Sequence, residues 1–183
     1  MTTLTGLRPN SADAAGAGFD PSYLDGTNIN PVTGLATDYL NHFNEAIMLL
    51  EMLPMAPDCK EDFLTWRPMS YREHFAASRF KHRDLAIAAY QVADPVFRRQ
   101  LDGITDQMNQ ILTEAHDGLK GDLSHDTIRI LAEATAHWLR PLVARAGAVI
   151  NGELTATQPR GDAAPQDAID ALFDQEVELV IQS

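Results

Sequence analysis

The sequence predicts an all-α fold: a helical bundle of four principal helices with short accessory helices and an irregular N-terminal arm. Three observations carry this. Apolar residues recur at alternating steps of three and four over long stretches, as in Phe97, Leu101, Ile104, Met108, Ile111 and Ala115; that spacing lays one stripe along a helix. Capping signals stand where these stretches begin. No segment combines strict strand alternation with flanking turn residues.

Residues 1–35 are rich in Gly, Ala, Asn, Asp, Thr and Pro without periodicity and read as an irregular or mobile arm. Residues 36–152 form the bundle. Its first helix spans about 37–53 and stops before Pro54, with Tyr39, Leu40, Phe43, Ile47 and Leu50 on its main face and Met48, Leu49 and Met52 on others. A helix apolar beyond one stripe is central in its bundle or shared with a partner. Asp58 and Glu61 have capping-box spacing and open a short helix over 58–66; Ser70 and Glu73 repeat the signal and open one over 71–93. Asp94-Pro95, an N-cap followed by proline at the first helical position, starts a helix over 95–118. Ser124 caps the next, over 125–150, which Asn151-Gly152 stops. In that helix Ile128, Leu131, Thr135, Trp138 and Leu142 form the stripe. The Thr135 hydroxyl is placed to bond back to a carbonyl one turn earlier, and Pro141 is expected to kink the helix near His137. Residues 153–164 read as a linker. Residues 165–183 read as an acidic amphipathic helix with the stripe Ile169, Leu172, Phe173, Val177 and Val180.

At 183 residues and 45% hydrophobic content the chain can bury a core without staples. Its single cysteine, Cys59, fits a reducing compartment, and the absence of a secretory signal or spanning apolar run leads to the expectation of a cytoplasmic protein. A net charge of −12 argues against nucleic acid and anionic membrane as partners. That charge is uneven: from Lys60 to Arg99, eight basic residues face five acidic ones, whereas the segment after Gly161 has acidic residues and no Lys or Arg.

Over 71–93 the stripe Tyr71, Phe75, Ser78, His82, Leu85, Ala89 and Val92 includes two polar members one turn apart, Ser78 and His82. The opposite side carries Phe80, Ile87 and Tyr90 among Arg72, Arg79 and Arg83. Rings framed by guanidinium groups suit a protein partner or an anion, unless another element covers them. His42 and His82, with His74 and nearby arginines, are the candidates for metal or small-anion binding. Glu133 and His137 are one turn apart, but about 160° from the Thr135 stripe, and therefore face solvent.

Three fragments resemble phosphorelay proteins. His116-Asp117-Gly118-Leu119-Lys120-Gly121 is similar to the signature of histidine phosphotransfer domains, with one extra residue that turns the leucine by about 100°. Leu123-Ser124-His125-Asp126 resembles the start of the sensor-kinase phosphoacceptor box without its following proline. Asp106 and Gln110 have the spacing by which helical chemotaxis phosphatases orient a water at an aspartyl phosphate, and residues 166–173 resemble the acidic peptides that tether chemotaxis proteins to response regulators. The chain as a whole matches none of these families. The expectation is a non-enzymatic helical interaction or regulatory protein, self-associating, without cofactor, and able to take a protein partner. Its interaction surface is expected at Phe80, Ile87, Tyr90, Arg72, Arg79, Arg83, Ile169, Leu172 and Phe173. The alternatives are an aspartyl-phosphate phosphatase acting through Asp106 and Gln110, and a metal- or anion-binding bundle.

Overall fold

The computed structural model describes residues 24–153. The linker, the C-terminal segment with Ile169, Leu172 and Phe173, and residues 1–23 of the arm lie outside them. The described chain is all-α, with six helices and no strand. A 3-10 turn at Thr37–Tyr39 leads into α1 (Leu40–Met52), followed by α2 (Cys59–Thr65), α3 (Tyr71–Ala77), α4 (Arg83–Val92), α5 (Pro95–Leu119) and α6 (His125–Ile150). The two longest helices, α5 and α6, are joined by a short connection and pack along their lengths as an antiparallel pair. Helix α1 lies on α6, α2 bridges α1 and α5, and α3 packs on α4.

Most boundaries follow from backbone donors that need partners at a helix start. Ser70 makes both halves of a capping box with Glu73, the Glu73 N–H donating to Ser70 Oγ at 3.3 Å and the Ser70 N–H to Glu73 Oε2 at 2.8 Å. The Asp94 carboxylate accepts from the Val96 N–H at 2.7 Å, with Pro95 beside it, and Ser124 accepts from the Thr127 N–H at 3.1 Å. At the end of α6 the Gly152 N–H reaches the Val149 carbonyl and the Glu153 N–H the Ala148 carbonyl, a Schellman closure that places Gly152 at φ +93°. Asp58 departs from expectation: its side chain caps nothing. Its backbone is already in the helical region, and tight-turn bonds from Cys59, Lys60 and Glu61 to carbonyls three residues back take up the donors.

The segment 71–93 is two helices rather than one. After Ala77 the chain turns extended at Ser78 (ψ 161°) and does not resume helical form until Arg83. Ser78 is the cause: its hydroxyl donates to the Phe75 carbonyl at 3.0 Å and accepts from the Phe80 N–H at 3.2 Å, competing with the helical ladder. Ser78 and His82 are therefore the C-cap and N-cap of different helices. Phe80 folds back to meet Phe75, ring centroids 5.5 Å apart. Helix α6, by contrast, runs unbroken through Pro141.

The core draws Leu101, Met108, Ile111 and Leu112 from α5, Leu131, Ala136, Leu139 and Val149 from α6, and Phe43, Ile47 and Leu50 from α1. Thr135 is fully buried and donates to the Leu131 carbonyl at 2.7 Å, so its hydroxyl is satisfied within its own helix. Residues 24–36 are irregular but packed: Leu24, Ile29, Leu35 and Ala36 are buried, and the buried Thr33 hydroxyl donates to the Ile150 carbonyl at 2.7 Å. Gly34 has φ +70°, and a Cβ there would meet the Ala89 carbonyl oxygen at 3.2 Å, so the segment's approach to α4 requires glycine.

Candidate functional site

Four places collect the residues that could carry chemistry or binding. The first is a ring cluster where α1, α2 and α3 meet. His42 is buried, stacked on Trp66 at 4.7 Å and 21°, and 5.9 Å from the His74 ring. The Trp66 indole N–H donates to the His42 carbonyl at 3.2 Å. Burial, reinforced by neighbouring His74, lowers the His42 pKa from 6.5 to about 4, although a hydrogen bond to the Arg67 backbone opposes this. His42 Nε2 and Asp38 Oδ2 are buried without a hydrogen-bond partner. The His74 pKa is also lowered, again chiefly by burial, against the opposing pull of Asp38 and Glu45. Neutral imidazoles of this kind can act as ligands. Yet among the described residues no three His, Cys, Asp or Glu side chains converge on a common point, and His82 makes its ring contact with Phe80, not with His42. The ring contacts put His42 beside His74 and His82 beside Phe80, so they do not join His42 and His82 into one site.

The second place is the aromatic side of α4. Tyr90 stacks on Tyr71 with centroids 4.5 Å apart, and its hydroxyl donates to Asp102 Oδ1 at 2.6 Å. Burial raises the pKa of Asp102, the Tyr90 hydrogen bond opposing that shift. Arg98 lies 5.7 Å over the Tyr90 ring and donates to the Gln91 carbonyl at 3.1 Å. Phe80, Ile87 and Tyr90 are each half-buried against the core, while Arg72, Arg79 and Arg83 are exposed. The rings therefore serve the fold as well as any surface.

The third place is the outer face of α5. Asp106 and Gln110 are both exposed, one turn apart, and the Gln110 amide donates to Glu114 Oε1 at 3.0 Å. His116 is not an open phosphoacceptor. Its Nε2 lies 3.0 Å from the Leu64 carbonyl and 3.1 Å from an Arg67 guanidinium nitrogen, and its side chain is 14% exposed. It ties α5 to α2. His125, by contrast, is exposed at the start of α6.

The fourth place consists of two open surfaces. On α1 and the turn after it, Met48, Met52 and Met55 are 53%, 40% and 88% exposed, beside an ion pair between Glu51 and Arg140. Met48 and Met52 are the residues that fall outside the main stripe of α1, so this surface was readable; Met55 lies in a proline-flanked turn with no periodicity to assign it. The second surface is a groove of about 430 Å³ between the first half of α5 and the last turns of α6, lined by Val96, Arg99, Gly103, Ile104, Gln107 and Arg145. Nothing in the periodicity joins Arg99 to Arg145. The available signal was Gly103 inside a strong helical pattern, which often marks a close approach.

No helix of the described residues is long and apolar enough to cross a membrane. In comparisons with known proteins, no family model, no curated protein and no solved structure matches this chain.

Proposed function

We propose that this chain is a non-enzymatic, cytoplasmic helical interaction protein with a regulatory role, and that it self-associates through the outer face of α1. The observation that carries the reading is the methionine surface. Seven large apolar side chains stand open among the described residues, and three of them, Met48, Met52 and Met55, fall within eight positions of one another. Contiguous exposed apolar area of this kind marks interaction sites. Methionine, unbranched and polarisable, adapts its shape to what it meets. Glu51 and Arg140 supply a polar rim. A second copy is the simplest partner, because a two-fold interface needs only one self-complementary patch. The lone Cys59 accords with a reducing compartment.

Light scattering on the full chain at micromolar concentration is expected to report a dimer. Met48→Glu combined with Met52→Glu is expected to give a monomer with unchanged helical content by circular dichroism, since both positions are exposed. A wild-type monomer, or a double variant that still dimerises, would contradict the reading.

A further inference from the structure

We infer that the groove between α5 and α6 is the docking site of this chain's own acidic C-terminal segment, residues 165–181, with its carboxylates on Arg99 and Arg145. The inference does not depend on the α1 surface.

Charge gives the first argument. The arginines elsewhere on α6 have acidic partners: Arg129 pairs with Asp126 and Glu133, and Arg140 with Glu51. Arg99 and Arg145, like Arg67, Arg72, Arg79 and Arg98, make no ion pair among the described residues, in a chain whose net charge is −12, but of these six only Arg99 and Arg145 line the groove. A pair of guanidinium groups on facing helices is a receptor for carboxylates, which arginine binds through two parallel N–H donors. The C-terminal segment offers them. Residues 165–181 carry Asp167, Asp170, Asp174, Glu176 and Glu178 and no Lys or Arg.

Gly103 gives the second. A glycine in a helix interior costs up to about 1 kcal/mol relative to alanine. Nothing inside the described molecule requires it, because a Cβ at Gly103 would meet no atom within 4 Å. Its missing side chain instead opens the floor of the groove, between Val96, which is 39% exposed, and Ile104. Apolar side chains of the segment, such as Leu172 and Phe173, can come close there.

Reach gives the third. Helix α6 ends at Ile150, five residues past Arg145, or about 7.5 Å along the axis. The chain leaves at Glu153, held by the Schellman closure. Eleven residues, 154–164, separate that closure from the segment, and eleven residues can reach up to about 36 Å, enough to return the segment to the groove.

Hydrogen exchange on the full chain tests this. At low salt the amides of 165–181 are expected to exchange at least about ten-fold more slowly than their intrinsic rates, and those around Gly103 to share the protection. Salt at ~0.5 M should weaken it by screening. Arg99→Glu with Arg145→Glu should abolish it without lowering the melting temperature. Gly103→Leu, which improves helix propensity, should raise the melting temperature while removing the protection by filling the groove. These opposed signs separate loss of docking from loss of fold. Intrinsic exchange rates throughout the segment, or protection indifferent to both variants, would overturn the inference. Protection that grows with protein concentration would also overturn it, assigning the segment to a second copy's groove.

Discussion

His42 turns burial into a pH dependence of the whole fold. Its folded-state pKa of about 4 lies below the ordinary 6.5, so folding expels a proton from the ring. The contribution is fully present above pH 6.5 and is lost as pH falls from 6.5 toward 4. His74 shifts in the same direction and adds to the same window. Glu73 and Asp117, whose pKa values are lowered by hydrogen bonds from Ser70 and Lys120, act at more acid pH, below the ordinary carboxylate range. Melting temperature is therefore expected to fall between pH 6.5 and 4, and His42→Gln is expected to flatten that fall. An unchanged slope in the variant would place the titrating group elsewhere. The sequence named His42 as a candidate ligand. Its Trp66 stacking partner comes from the residue just after α2, 24 positions away, and local spacing carries no trace of that contact.

At the scale of elements, legibility tracked how much of the boundary signal is local. Helices α5 and α6 were readable because their stripes are long and their caps, Asp94-Pro95 and Ser124, are built from adjacent residues. The break between α3 and α4 was not, since Tyr71, Phe75, Ser78, His82 and Leu85 keep a helical phase across it. Phase measures only angle, and a short non-helical connection can preserve it. The polar Ser78 was the local clue, as serine hydroxyls compete with backbone bonds. Helix α6 keeps the continuous span read for it, with Pro141 inside. Leu101 is fully buried in the α5 stripe and Leu131 nearly so in α6. Truncating either to alanine is expected to cost ~2–5 kcal/mol by chemical denaturation. A cost near zero would mean that the α5 and α6 stripes do not form the centre of the core.

For the whole molecule, the functional question reduces to which surface is used. A buried histidine cluster, an exposed Asp106 and Gln110, and an arginine groove each arise from one or two elements. Met48, Met52 and Met55, on α1 and the turn after it, are exposed large apolar side chains close together in the chain. The sequence held half of this: Met48 and Met52 were visible as surplus apolar positions, but whether α2 or α6 would cover them depended on tertiary packing. The chain also carries its own control, because Met108 is fully buried while Met48, Met52 and Met55 are open. Methyl resonances of the methionines, followed on dilution from high to low protein concentration, read the self-association surface directly. The methyls of Met48, Met52 and Met55 are expected to shift together with concentration while Met108 stays fixed. Concentration-dependent shifts confined to other positions, or no shift in any methionine, would contradict self-association through α1.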